Sequence, residues 1–263
     1  MHLGVKRQNW FSGFLCIFSA TTVLASSPFL KDWQNPGGMW TPPQIFTQGQ
    51  LLKDLGLEID PAQLSRADSD LLQAVVHLGF CSGSFVSSDG LVVTNHHCVA
   101  GMLSTLSKMD EDPAADYVKT GFKAKSRQQE RNVGPTQRLF VTQAIEDVTE
   151  EVVEGLGAIV CPMARGEMIE DRIKGIVARA EAKGDSLRAN VKPFFRGEQY
   201  ILTTQFEIKD VRMVMAPEAR VGKFGGDTDN WRWPRQTGDF AFIRAYVAPD
   251  GSSREFHHEN VPY

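Results

Sequence analysis

The pentapeptide Thr94-Asn95-His96-His97-Cys98 places two imidazoles beside a thiol at the end of the apolar, β-branched run Leu91-Val92-Val93. Imidazole exchanges protons near neutral pH, so acid–base chemistry is expected here. The segments Ser84–Ser87 and Leu91–Thr94, joined by Ser88-Asp89-Gly90, read as two short strands and a turn. This hairpin brings Cys81 near the strand that leads to Cys98, and a disulfide between them would give a catalytic base a rigid seat. The same residues also suit plain surface or core histidines beside a structural disulfide. Zinc is a weaker fit. Neither HExxH nor CxxC accompanies the motif, and His257-His258 would have to fold alongside it to complete a ligand set.

A second group runs from Gly222 to Trp231 as Gly-Lys-Phe-Gly-Gly-Asp-Thr-Asp-Asn-Trp, then through Arg232-Trp233-Pro234-Arg235 to Asp239. A calcium loop fails on detail, because Trp231 stands where an oxygen ligand is needed and no Gly follows at the turn position. Phosphate cradling fails too, since no Lys-Ser/Thr closes the Gly run and the loop is acidic. Asp239 differs from Asp227 and Asp229 in opening the apolar run Phe240-Ala241-Phe242-Ile243, which would bury its carboxylate. A buried carboxylate stays ionised only with a partner, and an imidazole N–H is such a partner. Asp239 is therefore the candidate to orient a catalytic histidine, although an Asp at a strand start is more commonly a turn residue. In chymotrypsin-like peptidases the base immediately precedes such a Cys, which selects His97 over His96.

These groups need elements to hold them. Residues 32–43, rich in Gly, Pro and Trp, read as an irregular arm. Gln50–Leu57 and Pro61–Leu78 read as helices, the second with Leu64, Leu71, Leu72, Val75 and Val76 on one face and Gly79 at its end. Residues 103–138 are polar and mixed, and Arg138–Thr142 reads as a strand. Two amphipathic helices follow, one carrying Ile145, Val148, Val152, Val153 and Leu156, the other Met168, Ile169, Ile173, Ile176 and Val177. Strands resume over Gln199–Ile208, Val211–Met215 and Phe240–Val247. The expected fold is mainly β with helical segments.

The 263 residues suffice for a substantial core, and the net charge of -4 is spread along the chain, giving no basic surface for nucleic acid or an anionic membrane. Lys6 and Arg7 precede a mostly apolar run from Trp10 to Leu24 that ends at Val23-Leu24-Ala25. This reads as a signal peptide over residues 1–25, with a mature chain over 26–263 that is periplasmic or secreted and has no membrane segment. Removal of Cys16 leaves Cys81, Cys98 and Cys161, so at most one internal bridge forms and one thiol is left over.

Together the two groups resemble family forty-six of the serine peptidases, the bacterial dipeptidyl peptidases of types seven and eleven. The resemblance rests on Gly38-Met39-Trp40, Gly90 through Cys98, Asp210-Val211-Arg212, Gly222 through Phe240, and Asn260-Val261-Pro262-Tyr263. It implies an exported enzyme that releases dipeptides from the free N-terminus of oligopeptides. The implied architecture is a chymotrypsin-like double β-barrel with an inserted helical domain, of which this chain holds the first barrel and lacks the second. By position His97 matches the general base and Asp239 the triad Asp, while Asn230 and Trp231 match the pair that holds the substrate's α-amino group. An Asn carbonyl can accept from an ammonium and an indole face can sit against a cation, which suits those residue types. The family's Ser nucleophile lies downstream of Tyr263, and the chain is read as an N-terminal, truncated part of the catalytic domain that would not hydrolyse peptides by itself. Ser82, in Cys81-Ser82-Gly83-Ser84, reads as structural, and no G-x-S-x-G elbow occurs. No metal or cofactor is implied, and a homodimer is left open. The competing reading is an inactive module that binds free N-termini through Asn230 and Trp231.

Overall fold

The computed structural model describes residues 40–263. The signal peptide expected over 1–25 and most of the expected arm lie outside the described residues. Two short helices open the described chain, α1 (Pro42–Ile45) and α2 (Gly49–Asp54). The single helix expected over residues 61–78 is instead three elements: a 3₁₀ turn at Pro61–Leu64, α3 (Asp70–Gln73) and the strand β1 (Val75–His77). Two side-chain caps explain the breaks, since Asp60 accepts from the Ala62 N–H and Ser69 from the Leu72 N–H, and each starts a new turn. Val75 and Val76 then alternate, Val75 outward and Val76 into the core, as β-branched residues in a strand do.

The expected hairpin is present as β2 (Ser82–Phe85) and β3 (Leu91–Thr94). Gly90 closes its turn at φ +66°, where a Cβ would stand 2.7 Å from the Ala245 carbonyl oxygen. After β3 the chain enters α4 (His96–Met109), which covers the start of a stretch whose sequence gave no periodic signal. Its buried residues Val99, Met102, Leu103 and Leu106 fall at helical spacing and pack on the sheet. Next come α5 (Tyr117–Thr120), β4 (Phe122–Lys123), β5 (Arg131–Asn132) and β6 (Leu139–Asp147). Ile145, expected on a helix, lies in β6, and the helix that follows, α6 (Thr149–Val153), is only one turn long. The long helix α7 (Pro162–Glu181) matches expectation. The strand β7 (Leu187–Phe194) was not evident from the sequence, whereas β8 (Gln199–Ile208) and β9 (Asp210–Ala216) were. The chain continues through α8 (Ala219–Gly222), α9 (Gly226–Trp231), β10 (Ala241–Val247) and β11 (Val261–Pro262).

All pairings are antiparallel, and the strands form one sheet in the order β4-β9-β10-β3-β2-β1-β6-β8-β7, with β11 added to β10 and β5 to β9. The mainly β class with helical segments holds, but the expected first barrel is not closed, because no ladder among the described residues joins β4 to β7. The geometry explains the opening. β4 is two residues long, and the far halves of β7 and β8 pack on α6 and α7 around Val152, Ile176, Ala180, Tyr200 and Leu202. The main core lies between the sheet and α4, around Val76, Val92, Leu103, Leu139, Ile208 and Ile243.

One register determines where the chemistry falls. Ala241 of β10 pairs with Thr94 of β3, so Asp239, just before β10, lies beside Asn95–His97, just after β3.

Candidate functional site

Asn95 and Asp239 tie the two strand ends together. The Asn95 amide Nδ2 donates to the Asp239 carbonyl oxygen at 3.0 Å and to its carboxylate Oδ2 at 3.2 Å. The His97 backbone N–H donates to Asp239 Oδ1 at 3.1 Å, and His97 Nδ1 lies 2.9 Å from Oδ2. The Asp239 side chain is only 3% exposed, whereas that of His97 is 52% exposed. A carboxylate can only accept, so Nδ1 carries the ring proton and the Nε2 lone pair is left for the cleft. Burial by itself would raise the Asp239 pKa, but the His97 backbone N–H, the imidazole hydrogen bond and the imidazole charge together hold it below the usual carboxylate value. Of Asp227, Asp229 and Asp239, it is Asp239 that bonds His97 among the described residues.

Cys81 and Cys98 form a disulfide with a Cα–Cα distance of 6.0 Å, and Cys161 is a free, exposed thiol. The bridge ties the first turn of α4 to the start of β2, next to His97. It also decides the metal question at this spot. Cys81, His97 and Cys98 bring donor atoms within 4.8 Å of one another, but sulfurs joined in a disulfide offer no thiolate. His257, His258 and Glu259 form a separate exposed group and do not join His97.

His97 and Asp239 open on a cleft of about 370 Å³, lined also by Lys223, Asp227, Asn230 and Thr237. Asn230, named by the family resemblance, lines the same cleft as His97. Trp231 is not among the lining residues, and 87% of its surface is open to solvent. The carbonyl oxygen of Asn230 is also not free, because the Arg235 guanidinium donates to it. Arg235 reaches further, to 3.6 Å from Asp239 Oδ2. Sequence reasoning missed Arg235 and Asn95; the available signal was position, since Arg235 lies four residues before Asp239 and Asn95 directly follows β3. Ser82 lies in β2, and no serine lines the cleft among the described residues.

The chain has relatives among known proteins. Residues 36–263 match the family model described as Peptidase S46. The chain is 40% identical over 244 residues to the Asp/Glu-specific dipeptidyl-peptidase of Shewanella putrefaciens, covering 93% of this chain and 32% of that protein. It is 35% identical to Dipeptidyl-peptidase 7 of Porphyromonas endodontalis, covering 86% of this chain and 27% of that one. The crystal structure of Porphyromonas endodontalis DPP11 in complex with substrate superposes with a TM-score of 0.74 at 35% identity, covering 86% of this chain and 33% of that one. The chain therefore spans about a third of the length of the relatives it matches. Because the family model covers nearly all of the described chain and the relatives it matches are dipeptidyl peptidases, this chain belongs to the peptidase S46 family.

Proposed function

We propose that the chain provides the general base and its orienting carboxylate to an exported, serine-type dipeptidyl peptidase acting on the free N-terminus of oligopeptides. The observation that carries this reading is the His97–Asp239 pair, which is bonded through Nδ1 and leaves Nε2 available to a cleft shared with Asn230. In that geometry Nε2 takes the proton of an attacking hydroxyl and later returns it to the leaving amine, while Asp239 stabilises the imidazolium formed between the two steps. The hydroxyl comes from a Ser in protein outside residues 40–263, which suits a chain one third the length of its relatives. Asp227 and the second lone pair of Asn230 Oδ1, whose first accepts from Arg235, give the cleft the acceptors that an α-ammonium group needs, with Trp231 closing on it once the rest of the enzyme is in place. Export rests on Lys6, Arg7 and the apolar run that follows them.

The test is mass-spectrometric product analysis of the full-length protein with a free decapeptide and with its N-acetylated form. Stepwise loss of dipeptides from the free peptide, with the acetylated peptide left intact, is expected. Internal cleavage of both peptides would indicate an endopeptidase, and tight binding without any cleavage would favour the peptide-binding module.

A further inference from the structure

The mechanism uses His97 and leaves its neighbour unexplained. His96 is the first residue of α4, is 1% exposed, and turns its ring to the opposite side of the site. Its Nε2 lies 3.1 Å from the Pro217 carbonyl oxygen. A carbonyl can only accept, so Nε2 carries the proton and Nδ1 is a bare lone pair. That Nδ1 is fully buried and has no hydrogen-bond partner among the described residues. Burial, the largest influence, lowers the pKa of the ring, which accords with a neutral imidazole.

What lies against the ring is Gly222. A Cβ at that position would stand 2.3 Å from the His96 Cγ and 2.4 Å from Nδ1, so the backbone of residue 222 packs directly against the imidazole. Gly222 ends α8, and Pro217 lies just before its start. The whole turn is therefore held at both ends by one side chain, through a hydrogen bond at Pro217 and a close contact at Gly222. Gly222 also lines the cleft, and the chain runs from it through Lys223 into α9, which carries Asp227 and Asn230. His96 and His97 are consecutive on α4, so one backbone segment supports the base and, one residue earlier, the facing wall.

We propose that His96, as the neutral Nε2–H tautomer, is a positioning residue: it seats α8 through Pro217 and Gly222 and so fixes the spacing between the Lys223–Asn230 wall of the cleft and His97. The orphaned Nδ1 fits this role, because any group placed to satisfy it would occupy the space in which Gly222 sits. The inference rests on the functional reading above, and its test separates the two.

In the full-length protein, His96→Leu fills much of the ring's volume without the donor, His96→Gln keeps an amide N–H able to reach Pro217, and Gly222→Ala adds the excluded Cβ. Hydrogen exchange reads the seat without reference to activity. Faster exchange confined to residues 219–231 is expected in His96→Leu and Gly222→Ala, with near wild-type protection in His96→Gln. Kinetics with a dipeptidyl substrate read the positioning. A rise in KM of about tenfold or more is expected for His96→Leu and Gly222→Ala, exceeding the fall in kcat and largely rescued in His96→Gln, since misplacement by an ångström can cost up to ~10²-fold. Unchanged exchange over 219–231 in a folded His96→Leu protein overturns the seat, whether or not the enzyme turns over. Loosened exchange with unchanged KM and kcat overturns the positioning role. Absence of His97-dependent turnover in wild type would count against the functional reading, and the exchange data would still decide on the seat.

Discussion

Asp239 accepts from the Asn95 amide, the His97 backbone N–H and the His97 ring, and its side chain is almost wholly buried. This concentration of donors gives one carboxylate two functions, to pin a strand end and to fix an imidazole tautomer. Replacement by Asn separates them. Asp239→Asn keeps the shape and much of the hydrogen bonding, but an amide N–H facing Nδ1 moves the ring proton to Nε2. A fall in turnover of up to about 10⁴ with the fold retained is expected, read by steady-state kinetics beside circular dichroism. Asp229→Asn serves as the control, since Asp229 makes no bond to His97 among the described residues and does not line the cleft. The lowered pKa of Asp239 also carries a sign for stability. Its contribution is complete above the unfolded value of about 3.9 and is lost as pH falls through the lower folded value, so the stability gap between wild type and Asp239→Asn is expected to close below about pH 4. The meeting of His97 and Asp239 was legible in the sequence, because a buried-strand start and a Cys-flanked His are local signals, whereas Asn230 came from the family resemblance alone. Arg235 was legible only as a position four residues before Asp239; its contact with Asn230 depends on how the loop returns upon itself.

At the scale of elements, the site depends on β3, β10 and α4 meeting at one corner. The β3–β10 register places Asp239 beside His97, and the Cys81–Cys98 bridge fastens the first turn of α4 to β2. The bridge closes a loop with a sequence separation of 17, for which loop entropy gives about 3 kcal/mol of stabilisation. Denaturant titration of the Cys81→Ser, Cys98→Ser double variant is expected to show a loss of that order, and a loss under about 0.5 kcal/mol would mean that the bridge constrains little. The hairpin, β8, β9, β10 and α7 could be read from periodicity alone. Among those that could not are α4, β1 and β7. α4 starts at His96-His97-Cys98, residues with no helical pattern, and only its tertiary contacts show the buried stripe from Val99 to Leu106. β1 was concealed because Leu71, Leu72, Val75 and Val76 mimic a helical face, while the caps at Asp60 and Ser69 break the run. β7 mixes charged and apolar residues that are half-buried or exposed, a pattern that becomes a strand only by pairing with β8.

At the scale of the whole molecule, several large aromatics that neighbour the cleft residues in sequence face solvent. Phe224, Trp231, Trp233 and Phe240 are all exposed, a density of solvent-facing aromatics that suits a surface meeting other protein. The open sheet fits the same picture, with an expected barrel left unclosed at β4 and β7. On the proposed reading, the His97–Asp239 pair, bonded and facing a cleft with no serine among its described lining residues, is one side of an active site whose Ser lies in protein outside residues 40–263. The most direct measurement of that claim is kcat/KM for dipeptide release from a free-amine fluorogenic dipeptidyl substrate, comparing the full-length protein with its His97→Ala variant. A loss of about 10⁴-fold or more, with the fold and the Cys81–Cys98 bridge intact, is expected for a general base of this type. Activity of the folded variant within about tenfold of wild type would show that His97 is not the base and would contradict the assignment.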